Sequence, residues 1–137
     1  MSEPQMSGAL KEQQVLNAAE RLVAAFARTD TAAYFAAFSD DASFVFHTLP
    51  EPLLSRAAYE KVWAGWLADG FEVLECTSSK QFVSLQGDVA IFVHDVRTQL
   101  RVQGDEITSY ERETIVFRQV EAGRWLACHE HLSAVPM

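Results

Sequence analysis

Three glycine-bearing turns, Gln86-Gly87-Asp88, Gln103-Gly104-Asp105-Glu106 and Glu121-Ala122-Gly123, cut the C-terminal half of this chain into four segments. The segments Val73–Leu85, Val89–Val102, Ile107–Val120 and Arg124–Ser133 are rich in β-branched and aromatic residues and alternate in polarity. Strands joined by such short turns pair with their sequence neighbours as an antiparallel meander. Thr77-Ser78-Ser79 interrupts the first of them and predicts a bulge or bend. Strands of this length twist, and the twisted sheet needs one face covered.

The cover lies upstream. From Glu12 to Arg28, Val15, Leu16, Ala19, Leu22, Val23 and Phe26 recur at helical spacing without Pro or Gly, which marks an amphipathic helix. Thr29 or Asp30 caps a second, short helix to about Phe38, with Tyr34, Phe35 and Phe38 on its apolar face. Ser39-Asp40-Asp41 reads as a turn and Ala42–Thr48 as a strand. After Pro50 and Pro52, Ser55 caps a third helix striped by Tyr59, Val62, Trp63, Trp66 and Leu67, and Gly70 ends it. Helices first and a meander afterwards predict an α+β fold. N-terminal helices pack on a strongly curved antiparallel sheet and leave a cone-shaped pocket, a natural place for a small molecule. Residues 1–11, with Pro, Gly, Ser and Gln, are expected to form a flexible arm, and residues 12–137 a single domain.

With 137 residues, 49% of them hydrophobic, and nine Phe and three Trp, the chain can fill a core and still line an aromatic pocket. A net charge of −8 with singly scattered basic residues argues against nucleic acid and against anionic membranes as partners. An anionic small ligand stays compatible, since one or two buried arginines suffice to hold it. Cys76 and Cys128 are too few for a disulfide framework or a zinc site. Met1–Leu10 lacks the basic and apolar regions of a secretory signal, and no apolar run reaches the roughly 20 residues of a membrane span. A cytoplasmic location is the expectation that remains.

The last strand carries the chemistry. Regular alternation puts Trp125, Ala127, His129, His131 and Ser133 on one face, with Leu126, Cys128, Glu130 and Leu132 on the other. The histidines either line a cavity or sit at the core edge, satisfied by neighbouring carbonyls. If Val120 lies opposite Arg124, then Ile115 faces His129 and Glu113 faces His131, so that Glu113 joins both imidazoles. A one-residue slip breaks that constellation. A carboxylate beside histidines is a usable acid/base group, and it is equally a buried ion pair that only satisfies its members. His94 lies on the alternating set Phe92, His94, Val96 and Thr98, either as a packed core residue or as a second base. His129-x-His131 with Glu113 offers three potential metal ligands, but no second acidic ligand is clearly placed, and no metal is expected. Cys128 has no activating partner.

Several local signatures resemble the nuclear-transport-factor-2-like (cystatin-like) superfamily and, within it, SnoaL-like domain proteins. They are Tyr34-Phe35, Phe38-Ser39-Asp40-Asp41-Ala42-Ser43-Phe44, Glu113-Thr114-Ile115-Val116-Phe117-Arg118, and Arg124-Trp125 followed by His129, His131 and Ser133. The likeness spans roughly Val15 to Pro136. The ending Trp-x-x-x-His-x-His-x-Ser is also similar to that of the calmodulin-dependent kinase association domain.

The resemblance implies that the Phe92, His94 and Val96 face lines the hollow, that Tyr34 walls it, and that the third helix closes its mouth. A ligand would then touch Tyr34, Phe46, Trp63, Trp66, Phe92 and Trp125. The acid/base candidates are Glu113, His129, His131 and His94, with Tyr34 or His94 polarising an oxygen, and His47 is a rim residue. The implied function is binding of a small hydrophobic, carbonyl-bearing molecule by a homodimer, with cofactor-free isomerisation, cyclisation or dehydration if it is an enzyme. The alternative is a non-catalytic dimeric ligand-binding or assembly module. Fold alone does not decide between them.

Overall fold

Alanine-rich sequence with no internal proline carries α1 over Pro4–Ala27 in the computed structural model, which describes residues 4–136. This helix starts eight residues before Glu12, so most of the expected arm is helical, and Met1–Glu3 lie outside the described residues. The helix is also tied down near its start, because Lys11 Nζ reaches Asp88 Oδ1 at 3.2 Å. Asp30 caps α2 (Thr31–Ala36) by accepting from the Ala33 amide at 3.2 Å, and Ser55 caps α3 (Arg56–Ala68) by accepting from the Ala58 amide at 3.0 Å. Gly70 leaves α3 at φ 88°, a conformation that an L side chain resists.

Five strands follow the pattern of the turns: β1 (Phe38–Phe46), β2 (Glu72–Gln86), β3 (Val89–Val102), β4 (Asp105–Glu121) and β5 (Arg124–Ala134). Strands β2 to β5 form the expected antiparallel meander, but β1 joins its far edge parallel to β5. The sheet is therefore mixed, in the order β1-β5-β4-β3-β2, and corrects the wholly antiparallel expectation. A parallel neighbour is feasible because α3 and three strands separate β1 from β5, ample length for a crossover. Ser39-Asp40-Asp41 belongs to β1 rather than to a turn. Its residues fill an irregularity in the β1–β5 register between Phe38 and Ser43.

Four further register shifts, two between β2 and β3 and two between β4 and β5, bend the sheet, and one of each pair bears on the site. In β2 the register shifts between Ser79 and Phe82, next to Lys80 at φ 52°, just beyond the expected interruption. In β5, Phe117 pairs with Ala127 but Val116 pairs with His129, so Cys128 is an extra residue.

The helices cover one face. Val15 and Leu22 of α1 join Phe44, Phe92, Ile115, Phe117, Trp125 and Ala127 of the sheet in one buried cluster. Each fully buried Phe or Leu contributes roughly 1.5–3 kcal/mol. Buried indoles keep their N–H groups satisfied: Trp63 donates to Thr31 Oγ1 at 2.9 Å, and Trp125 to Gln14 Oε1 at 3.0 Å. Among the described residues no helix is long and apolar enough to cross a membrane.

Candidate functional site

Regular pairing of β3 with β4 sets Phe92 opposite Ile115 and His94 opposite Glu113. Partners share a face, so Ser109, Glu111, Glu113, Ile115 and Phe117 all turn toward the helices. The extra residue at Cys128 decides what β5 adds to them. Before it, Trp125 and Ala127 point inward, and after it the inward residues are Glu130, opposite Ile115, and Leu132, opposite Glu113. His129 and His131 pair with Val116 and Thr114 and face the other way. The expected Glu113–His129–His131 group is therefore not formed. A single-residue bulge replaced two imidazoles with a carboxyl.

Between the helices and this face lies a cavity of about 470 Å³, to which all eight elements contribute. Its walls are apolar and aromatic, including Leu22, Phe26, Trp66, Phe71, Leu100 and Leu132, and it reaches the surface at His47, Gln103 and Ile107. Three glutamates, Glu111, Glu113 and Glu130, lie along its sheet side, and the exposed Asp69 stands at its edge. No lysine or arginine lines it, so the buried arginine that an anionic ligand would need is absent among the described residues.

Glu130 is 2% exposed, and its Oε2 has no hydrogen-bond partner among the described residues. Burial, then the charge of the adjacent Glu113 and the hydrogen bond to it, then the charge of Glu111, push its carboxyl well above the ordinary range. Glu113 is oriented from behind. Fully buried His94 reaches Glu113 Oε1 through Nε2 at 2.7 Å, while its Nδ1 meets Ser78 Oγ at 2.6 Å. Gln81 Nε2 donates to Ser78 Oγ at 3.0 Å. A carboxylate oxygen only accepts, so His94 Nε2 donates to Glu113 Oε1 and fixes the carboxylate's orientation.

Tyr34 and Tyr59 both line the cavity, with their hydroxyls 2.9 Å apart. One donates to the other, which leaves the acceptor's own proton for a third group. Burial first, and the Glu130 charge second, raise both phenols well above their ordinary range. Toward the mouth, His47 Nε2 meets Glu111 Oε2 at 2.6 Å, and Ser109 donates to Glu111 Oε1 at 3.2 Å.

The remaining candidates divide. Phe46, Tyr34 and Trp66 line the cavity, whereas Trp63, Phe92 and Trp125 are core residues outside it. Phe92 packs at a tilt against His94, with ring centroids 4.7 Å apart, and Trp125 faces α1. His94 stands behind Glu113 instead of on the wall. On the outer face, His129 Nδ1 meets Ser43 Oγ at 2.8 Å, its ring lies 6.4 Å from that of His131, and burial followed by the His131 charge lowers its affinity for a proton. Cys76 lies on the cavity wall, its thiol pushed up to about 11 by burial. Among the described residues, no group of three or more His, Cys, Asp or Glu side chains is arranged to hold a metal.

Sequence reasoning missed Glu130, the Tyr59 hydroxyl and the Glu111–His47 pair. The one available signal for Glu130 was the change in parity of β5, whose apolar positions Trp125 and Ala127 give way to Leu132.

A family model described as SnoaL-like domain matches residues 15–137. Comparison with curated proteins found no match. Among solved structures, the chain is similar to an NTF2-like protein of unknown function in nutrient uptake from Rhodospirillum rubrum. The TM-score is 0.77 at 22% identity, covering 89% of this chain and 98% of that one. A ketosteroid isomerase-like protein from Erwinia carotovora atroseptica has a TM-score of 0.73 at 17% identity, over 88% and 93% of the two chains. An NTF2-like protein with a cystatin-like fold from Novosphingobium aromaticivorans has a TM-score of 0.72 at 16% identity, over 98% and 92%. At these identities the likeness concerns the fold.

Proposed function

This chain belongs to the SnoaL-like domain family, and from its cavity we propose that it catalyses cofactor-independent proton transfer on a hydrophobic, carbonyl-bearing small molecule. One observation carries the proposal: Glu113 and Glu130, diagonal neighbours on the inner face of β4 and β5, adjoin in an apolar hollow. Two carboxylates so placed do not both ionise readily, so the pair holds one proton and offers a base and an acid together.

The roles follow from the surroundings. Glu113, held on Oε1 by His94, keeps its other oxygen for a proton on the carbon next to the ligand carbonyl. Glu130 retains the shared proton and supplies it to the carbonyl oxygen, helped by the free proton of the Tyr34–Tyr59 pair. The C–H bond electrons become the enol double bond as the oxygen is protonated. Return of a proton to a different carbon isomerises the ligand. In a β-hydroxy ligand the hydroxyl instead takes a proton from the carboxyl pair and leaves as water, while the enol gives up its O–H proton, re-forms the carbonyl and gains the new C=C. His94 is a positioning residue that fixes Glu113 without touching the ligand.

Two wider features accompany this reading. Val45, Ile91, Val93 and Val116 are half-buried on the sheet face away from the helices, and a second copy of the chain is the proposed cover, giving a homodimer. A cytoplasmic location is compatible with two free cysteines.

The test is proton exchange in D2O with a panel of hydrophobic ketones, followed by NMR at the carbon next to the carbonyl. Exchange should be catalysed by the parent and reduced about 100-fold or more in Glu113→Gln, the usual range for a lost general base. A folded Glu113→Gln protein that exchanges as fast as the parent contradicts the proposal.

A further inference from the structure

We infer that the ligand carries a basic nitrogen and enters the cavity as a cation, an inference that rests on the carboxyl-pair reading above and names its substrate class. The first ground is the balance of hydrogen-bonding groups. Apart from the exposed Asp69 at its edge, the cavity's acids are Glu111, Glu113 and Glu130, which bring six acceptor oxygens. Donors from His47, Ser109 and His94 meet both oxygens of Glu111 and one of Glu113. That leaves Glu113 Oε2 and the Glu130 carboxyl with little beyond the proton they share. Glu130 Oε2, in a side chain 98% buried by its 2% exposure, has no partner at all among the described residues. A buried acceptor without a donor is costly, and such sites are held for something that supplies one. An ammonium group brings up to three donors and no acceptor.

The second ground is charge. A carboxyl pair that holds one proton carries one negative charge, and no lysine or arginine on the cavity wall opposes it. An ammonium neutralises it, a neutral alcohol does not, and a carboxylate adds to it. Desolvation inside the hollow enlarges those differences relative to water. The third ground is the wall itself. Tyr34, Tyr59, Phe26, Trp66 and Phe71 surround the space, and aromatic faces attract a desolvated cation. A carbonyl compound with a basic nitrogen would donate an N–H to the unpartnered Glu130 Oε2, keep the carbon next to its carbonyl for the free oxygen of Glu113, and lay its apolar frame against these rings.

Three probes of nearly one shape separate the possibilities: naphthylmethylamine, naphthylmethanol and naphthylacetic acid, titrated calorimetrically into the intact protein at neutral pH. The amine should bind about tenfold or more tightly than the alcohol, and the acid more weakly than either. In a Glu113→Gln/Glu130→Gln double variant the preference for the amine over the alcohol should vanish. Alcohol or acid binding as tightly as the amine in the parent overturns the inference, and that result needs no variant to fold. A double variant that keeps the amine preference also overturns it. If none of the three binds, the cavity is not a ligand site, and both this inference and the proposed function fail. If the amine preference holds while ketone exchange in D2O is absent, the inference stands and the proton-transfer proposal alone fails.

Discussion

Glu130 gives the protein its most distinctive dependence on pH. Its carboxyl faces Glu113 and Glu111 from β4, Tyr34 from α2 and Tyr59 from α3, with His94 behind Glu113 and His47 on Glu111. Burial raises its proton affinity in the folded state above the ordinary value of 4.5. The folded chain then holds a proton that the unfolded chain has released. The associated stability is fully present below about pH 4.5 and is lost as pH rises toward the raised folded value, by up to about 1.4 kcal/mol per pH unit. Glu130→Gln should remove that slope. Thermal melts at pH 5 and pH 8 should show the variant gaining on the parent at the higher pH, and equal offsets at both would refute the buried-acid account. At the same scale, His129→Ala and His131→Ala should each leave ketone exchange within about twofold of the parent, because both rings sit on the face away from the cavity. A loss as large as that of Glu113→Gln would restore the histidines to the site.

At the scale of elements, the physical signals differ in how far they reach. Strand β3 runs over the predicted Val89–Val102, since alternation and glycine turns are local properties that tertiary contacts reinforced. The cap at Ser55 was legible for the same reason, and of the two candidates Thr29 and Asp30 the structure uses Asp30. Ser39-Asp40-Asp41 misled because turn-forming residues also suit a strand irregularity, where Asp40 and Asp41 meet Arg56 and Arg118. The bulge at Cys128 has no Gly or Pro to announce it, and two-residue alternation counted through an extra residue inverts every assignment after it. Thus Glu113 and Tyr34 face the cavity, His94 lies beside it, and β5 turns Glu130 inward where His129 and His131 were expected. The cap of α3 offers a check on the wall that carries Tyr59 and Trp66. Ser55→Ala should cost about 1 kcal/mol and lower Tm by roughly 4 °C. It should also weaken naphthylmethanol binding. An unchanged melting temperature would show that the helix does not depend on its cap.

For the whole molecule, element order and local signatures sufficed to anticipate an α+β domain of the SnoaL-like kind. They did not reveal that β1 closes the far edge in parallel, because pairing between the first and last strands spans nearly the entire chain. The proposed homodimer belongs to this scale. Val116 lies on the outer face beside Val93 and Ile91, and a lysine there would meet a second copy's apolar surface. Sedimentation should give twice the chain mass for the parent and the chain mass for Val116→Lys. A monomeric parent at high micromolar concentration would contradict the dimer without touching the cavity.

All of the proposed chemistry depends on one shared proton, and its location is directly measurable. Glutamate labelled with ¹³C at Cδ, assigned with the Glu113→Gln and Glu130→Gln variants, reports the protonation of each carboxyl through its chemical shift. The account predicts that Glu130 keeps the shift of a protonated acid through neutral pH and that its titration moves when Glu113 is replaced. A Glu130 resonance that titrates near 4.5, independently of Glu113, would contradict it.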